Sequence, residues 1–402
     1  MAISQARHWR TAARALSLLR HRSEMTRTEL ANQLGLRSGP VSDLVKRLVQ
    51  AELVCEKPAA LQGPGRPTST IHAHPSGPNA VVLDLRHGDW RLGTCQIDGS
   101  VSTYETGRYR GSAPEQYLAA LGKKVRELVE TLEWRAVGVG IVVPGRVVDG
   151  HLDMTMQRWS EIDTSPLTSA TDLPVFLLND ATAAGIAETR MHPPELKSLL
   201  HIVVEIGVGG ALIVEGQPTP SAHNLHGEFG HLPFGDPTLT CPCGARGCWT
   251  IAFDVSEISR RTGLVPNDDP RIWLHRIFTH PNESDSVRAV VSSLASDLGR
   301  GIAGLTNALD PGLISLGGMA EDLRLVAPNA FDQSFADGLM NVHRRQPPPI
   351  IAAQSGELAA LVGAGVFVFD EILDATSLAS WVSQFAPSPS QGRKASATRP
   401  QR

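Results

Sequence analysis

Gly227-Glu228-Phe229-Gly230-His231, followed after nine residues by Cys241-Pro242-Cys243-Gly244-Ala245-Arg246-Gly247-Cys248, is the most specific stretch of this 402-residue chain. Three thiolates and one imidazole make a tetrahedral Cys₃His set. Such a set suits structural zinc and leaves no coordination position open for catalysis. Gly244 and Gly247 permit the tight turns that bring ligands so close in sequence together. Only Cys55 and Cys95 stand apart among the five cysteines. Clustering of this kind fits metal ligation in a reducing compartment better than a disulfide framework. His231, Cys241, Cys243 and Cys248 are therefore the expected metal ligands, with buried free cysteines as the less specific alternative.

Outward from this block the chain alternates strand-like and helical patterns. Strand-like runs are expected at Ala80–Leu85, Trp90–Ile97, Val137–Val143, Val175–Leu178, Leu199–Glu205, Ala211–Val214 and Leu313–Leu316. Helical periodicity is expected from Pro114 to about Glu133, and over Thr182–Arg190, Val287–Leu309 and Glu357–Leu373. Alternation of this kind argues for an α/β body. The turn-rich Pro75-Ser76-Gly77-Pro78 marks a boundary before it.

The segment ahead of that boundary reads differently. Apolar residues recur at helical spacing over residues 9–22 (Trp9, Ala12, Ala13, Leu16, Leu19). Thr26 then stands as a helix N-cap, with Glu29 completing a capping box, and Gly35 is a natural stop. Ser38 can cap a second helix with Pro40 in its first turn, where the missing N–H is harmless. Val41, Leu44, Val45 and Leu48 line its inner face, leaving Arg37, Ser42, Asp43, Lys46 and Arg47 outside. Two short helices around a glycine-containing turn, the second polar and basic outside, form a helix-turn-helix. Thr26, Arg37, Ser38, Ser42, Asp43, Lys46 and Arg47 are the candidate DNA contacts. Strands at Leu53–Glu56 and Ser69–His72 flank Gly63-Pro64-Gly65-Arg66-Pro67. This is a wing whose Gly65, Arg66 and Pro67 suit a narrow A·T-rich minor groove. A helical hairpin with a loose loop is the alternative reading.

Charge agrees with this division. Residues 1–75 carry 11 Lys and Arg against 5 Asp and Glu, so the overall net charge of −4 leaves −10 for the remainder. A basic head on an acidic body implies that only the head approaches a polyanion such as double-stranded DNA. No apolar run approaches the roughly 20 residues of a membrane helix, and no apolar signal core follows the first residues, so a cytoplasmic location is expected. The Ser-, Pro- and Arg-containing stretch 387–402 reads as a disordered tail.

With these residues in place the chain resembles the ROK family of repressors, open reading frames and kinases. The resemblance spans about residues 10–375. It rests on the His/Cys block, on Gly227-Glu228-Phe229-Gly230-His231, on Asn179-Asp180-Ala181-Thr182-Ala183-Ala184, and on Val143-Pro144-Gly145 and Leu316-Gly317-Gly318. It implies a winged helix-turn-helix over 1–77 and a two-lobed, actin-like α/β fold with a zinc knuckle. The lobes would be 78–200 and 201–386, with the last helix able to pack back on the first lobe. It also implies a homodimer or homotetramer. Gly145, Asn179, Asp180, Glu228 and His231 match the family's sugar-contacting positions. His231 would use one ring nitrogen for the sugar and the other for zinc.

In kinase members the first phosphate loop reads Asp-x-Gly-Gly-Thr; here it is Asp84-Leu85-Arg86-His87-Gly88-Asp89-Trp90. The second reads Gly-Thr-Gly-x-Gly-Gly; here it is Glu205-Ile206-Gly207-Val208-Gly209-Gly210. A carboxylate 4 Å from a phosphate is repelled by about 1–4 kcal/mol per charge pair, so no ATP and no catalysis are expected. The family's sugar-contacting Glu after Leu is replaced by Trp249-Thr250, and Met156 stands where Asn is usual. Trp249 suits packing better than stacking on a sugar. The expected function is a DNA-binding transcriptional regulator of repressor type. Its effector would be a sugar or sugar derivative held between the lobes, and its operator an inverted repeat. The alternative is a ROK-type sugar kinase with an appended DNA-binding domain.

Overall fold

The computed structural model describes residues 2–21, 25–58, 69–109, 111–221, 227–266, 269–281 and 284–385. The expected wing-tip residues Gly65, Arg66 and Pro67, and the tail 387–402, lie outside them. The chain forms two compact units, one from the described parts of Met1–Pro78 and Asp370–Arg402, the other from Asn79–Phe369.

In the first unit, α1 (Ala2–His21) precedes a two-residue strand β1 (Met25–Thr26), α2 (Arg27–Leu34) and α3 (Ser38–Gln50). The hairpin strands β2 (Val54–Pro58) and β3 (Ser69–Ala73) follow. β3 is central, pairing antiparallel with β1 and β2. The helices begin and end for local reasons. Thr26 Oγ1 accepts from the Glu29 amide while Glu29 Oε2 accepts from the Thr26 amide at 2.7 Å, and Gly35 closes α2 in the left-handed region at φ 65°. Ser38 does not cap α3 as expected. The Val41 amide reaches Arg37 O, so the helix starts one residue earlier, with Arg37 in the cap position. Pro40, two residues on, has no N–H to offer a Ser38 hydroxyl. Val41, Leu44, Val45 and Leu48 are buried beneath α3.

Arg27 holds both oxygens of Glu56 at 2.8 and 2.6 Å, and Ser69 adds a hydroxyl at 2.9 Å, tying α2 to the hairpin. The unit is completed from the far end of the sequence. α14 (Ala375–Phe385) packs on α1, and Arg20 pairs with Asp370 at 2.7 Å. Residues 375–385 were expected in the second lobe. Leu378 is instead fully buried in this unit, which also buries Ala12, Leu16 and Leu19 of α1.

The second unit holds two five-stranded sheets built to one plan. The first lobe contains β4 (Asn79–Leu85), β5 (Asp89–Gln96), β6 (Val101–Arg108), α4 (Pro114–Leu132) and β7 (Ala136–Val143). The small strands β8 (Arg146–Val148), β9 (His151–Met154) and β10 (Trp159–Asp163) follow, then α5 (Ser165–Thr168), β11 (Val175–Asn179) and α6 (Asp180–Thr189). The second contains β12 (Ser198–Glu205), β13 (Gly207–Val214), β14 (Gln217–Pro218), α7 (Val255–Thr262), α8 (Pro270–Thr279), α9 (Asp285–Leu309) and β15 (Leu313–Gly318). It continues with α10 (Ala320–Val326), α11 (Pro328–Gly338), α12 (Asn341–Arg345), β16 (Ile350–Ala352) and α13 (Ala359–Ile372).

The sheet orders are β6-β5-β4-β7-β11 and β14-β13-β12-β15-β16. Each is an antiparallel three-strand meander followed by two parallel strands added beside its first strand. α13 returns to the first-lobe sheet. A side chain on Gly140 would meet Ala364 O at 3.0 Å, and one on Gly365 would overlap Cys95. The second-lobe core is aromatic, with Trp249, Phe253, Trp273, Phe278 and Phe331 fully buried. Trp249 stands edge-on to Phe234 and Phe253, so it packs rather than facing a ligand. No described helix is long and apolar enough to cross a membrane.

Candidate functional site

The site residues collect where strands end. Open α/β sheets bind ligands outside the carboxyl ends of their strands, where loops diverge and backbone groups are free. Here the β4–β5 turn brings His87, the end of β7 brings Gly145, the end of β11 brings Asn179 and Asp180, and the end of β12 brings Glu205. Together with Glu228 and His231 they line a cleft of about 770 Å³ between the two lobes. All five residues expected to hold a sugar, Gly145, Asn179, Asp180, Glu228 and His231, face this one cavity.

Asn179 is first a structural residue. Its Oδ1 caps α6 by accepting from the Thr182 amide, and its Nδ2 donates to Gly145 O at 3.2 Å. One amide hydrogen and one lone pair remain for a ligand. Asp180 opens α6, and its carboxyl is pushed up to about 6 by burial, against the pull of the Ala181 amide. Gly227 and Gly230 let the Glu228–His231 turn lie flat on β13. A Cβ at Gly227 would come within 2.0 Å of Gly210 O, and one at Gly230 within 2.1 Å of Val208 O.

The His/Cys block folds back on itself beside this cleft. One ligand atom from each of His231, Cys241, Cys243 and Cys248 lies within 4.8 Å of the others. Cys241 Sγ is 3.7 Å from His231 Nδ1, and Cys243 Sγ is 3.7 Å from Cys248 Sγ. Zinc–sulfur bonds of about 2.3 Å at tetrahedral angles place two sulfurs roughly 3.7–3.8 Å apart, so the donor set fits a tetrahedral ion. Burial and the neighbouring thiols push Cys248 up to about 12; a cation in their midst would reverse that, since a coordinating thiol is deprotonated. His231 turns Nδ1 to the cysteines and Nε2 to Glu228, whose Oε2 is 3.6 Å away.

Two residues in or beside the cleft carried no signal in the sequence. Arg146 extends from the residue after Gly145 and donates from Nε to Asp153 at 3.1 Å. Gln157 Nε2 lies 2.6 Å from His87 Nδ1. Thr250 Oγ1, standing where a sugar-contacting carboxylate was expected to be missing, accepts from the Val208 amide at 3.1 Å. The side chain of Met156 lies outside what the structure describes.

A second cavity of about 1410 Å³ adjoins the first and is lined by Asp84, Arg86, Arg91, Arg271, Gly317 and Gly318, among others. The carboxylates expected to repel a phosphate there are paired with arginines. Arg271 of α8 grips both oxygens of Glu205 at 3.1 and 3.2 Å, and Arg86 lies 3.9 Å from the same carboxylate and 3.6 Å from Asp89. Helix α8 was not expected from the sequence, so its arginine was not either. Burial nevertheless pushes Glu205, and likewise Asp84, up to about 7.

In the first unit Arg37, Ser38, Asp43, Lys46 and Arg47 are exposed on α3 and Ser42 is half-buried. Thr26 is engaged in its capping box.

Two family models match the chain: "ROK family" over residues 87–371 and "Winged helix-turn-helix DNA-binding" over residues 10–54. A putative xylose repressor of a Caldicellulosiruptor species is 22% identical over 325 residues, covering 76% of this chain and 81% of that protein. A kanosamine kinase of Amycolatopsis mediterranei is 27% identical over 277 residues, covering 66% and 88%. A solved ROK family transcriptional regulator, described as a homologue of the E. coli Mlc protein, superposes with a TM-score of 0.71 at 20% identity. It covers 94% of this chain and 100% of its own, a likeness of fold.

Proposed function

The chain belongs to the ROK family, and from that premise we propose that it is a DNA-binding transcriptional repressor controlled by a sugar or sugar derivative. The observation that carries the reading is the head. A winged helix-turn-helix presents Arg37, Ser38, Lys46 and Arg47 on the open side of α3. The N-terminal part of such a helix enters the major groove, with cations beside it on phosphates.

The effector occupies the cleft lined by Asn179, Asp180, Glu228 and His231. It shifts operator occupancy only by its different affinity for two arrangements of the protein. Two copies of the chain present recognition helices about one DNA turn, roughly 34 Å, apart to an inverted repeat. His231, Cys241, Cys243 and Cys248 hold a structural zinc ion. That ion supplies rigidity, fixing His231 so that Nε2 and Glu228 keep their places in the cleft.

The same chain is not a kinase in this reading. Phosphoryl transfer relies on backbone amides cradling phosphates. Here the Val208 amide is taken by Thr250, Arg86 and His87 fill the first loop, and Glu205 stands clamped between two arginines. The retained Asp180 and the kinase relative favour the second reading, a sugar kinase bearing a DNA-binding head.

One experiment separates the two. Purified full-length chain is assayed for ATP consumption and for melting-temperature shift with D-xylose, D-glucose and kanosamine. In parallel, retention of duplex DNA fragments at low salt is measured with and without each sugar. The regulator reading expects DNA retention, a sugar-dependent shift and no ATP turnover. Robust turnover, or indifference to duplex DNA at low salt, overturns it.

A further inference from the structure

Building on the cleft as an effector site, we propose that His87 determines its specificity: the ring Nε2 contacts the ligand hydroxyl that Asp180 also holds, where the two cavities meet. Five residues, His87, Pro144, Asp180, Val203 and Glu205, line both the 770 Å³ cleft and the 1410 Å³ cavity, and so mark their junction. Pro144 and Val203 offer no side-chain hydrogen bond there. Glu205 is engaged by Arg271. Asp180 and His87 are the side chains with polar capacity to spare.

His87 is held firmly for the task. It sits within a turn closed by the Arg86 amide on Asp89 O at 2.9 Å, and the Gly88 carbonyl accepts from the Tyr109 amide. Its Nδ1 is taken by the Gln157 side-chain amide at 2.6 Å. Whichever way that amide is turned, Nδ1 is occupied and Nε2 is the ring atom left for a ligand. Among the described residues Gln157 is the one hydrogen-bond partner of His87. Burial lowers its proton affinity, so at neutral pH it meets the ligand uncharged, as suits a hydroxyl rather than an anion.

The site has reason to recruit such a contact. Thr250 replaces an acceptor and spends its own hydroxyl oxygen on the Val208 amide. His87 returns a polar contact from the other lobe. Gln157 acts through it as a positioning residue.

The test is titration calorimetry of the full-length chain with D-xylose, D-glucose and kanosamine. The variants are His87→Ala, His87→Gln and Gln157→Ala, with apo melting temperatures checked against wild type. Wild type is expected to bind at least one sugar. His87→Ala should weaken that binding tenfold or more, equivalent to about 1.4 kcal/mol, and His87→Gln about threefold. Gln157→Ala should weaken it less, while moving the His87 ring-nitrogen resonances in the absence of sugar. Should His87→Ala fail to fold, His87→Gln with an unchanged Kd decides against the proposal. Equal binding by wild type and His87→Ala overturns the role of His87 and leaves the effector reading standing. Binding of none of the three sugars by wild type overturns both.

Discussion

Replacing Asp84 with Asn is expected to stabilise the body increasingly as pH rises from about 4 to above 7, and to do nothing below that range. Asp84 lies near the end of β4, 4% exposed. Burial pushes its carboxyl up to about 7 from an ordinary 3.8. Arg86 and Arg91 pull it down and Asp180 and Glu205 push it further up. Between those two pH values the folded chain keeps a proton that the unfolded chain releases. Stability therefore falls as pH rises from about 4 and reaches its full loss above 7. At about 1.4 kcal/mol per tenfold in proton affinity, the ionised carboxylate costs the fold up to roughly 4 kcal/mol. Half of that, about 2 kcal/mol, is a conservative expectation for Asp84→Asn at pH 8, or about 3 °C in melting temperature for a unit spanning Asn79–Phe369. Differential scanning calorimetry of both proteins at pH 5.0, 6.5 and 8.0, at constant ionic strength, reads the difference directly. A shift that is independent of pH, or a variant that melts lower at pH 8, would refute the placement of Asp84 as a buried, charge-averse acid.

Cys248→Ser should lose the bound metal, measured as equivalents per chain by mass spectrometry. It should also lower the melting temperature of the body, because ligand binding to the fold is folding free energy. Thr26→Ala removes the hydroxyl half of a capping box and should destabilise the head by about 1 kcal/mol, read as faster amide exchange in α2. Lys46→Ala and Arg47→Ala should weaken DNA binding about equally for all sequences. Each should make the slope of log K against log salt shallower by about 0.9 for every phosphate left without its cation.

The elements with strong local signals were legible in the sequence. The capping box at Thr26 and Glu29, the glycine stop at Gly35 and the buried stripe of α3 are decided within a few residues of themselves. The long helix α9 and the strands β4, β7 and β12 are decided by periodicity or continuous apolar runs. The grouping of His231, Cys241, Cys243 and Cys248 was legible because their spacing is short. What stayed hidden depends on distant partners. β1 is two residues long and exists because β3 lies beside it. Arg271 meets Glu205 across 66 residues of sequence, and His87 meets Gln157 across 70. α14 carries an ordinary amphipathic pattern, and nothing within it says that its partner is α1. The exposed edge strand β6 alternates weakly because one face meets solvent, which obscured it.

Arg20 and Asp370 meet across 350 residues of sequence. During synthesis the ribosome releases the reading helices within the first tenth or so of the chain, yet the helix that packs on α1 emerges near the end, after the whole body. A nascent or prematurely terminated chain therefore carries a head whose Arg20 has not met Asp370, and whose α1 lacks its late-arriving neighbour. The first unit thereby reaches its full set of contacts only in molecules whose second unit has already been synthesised.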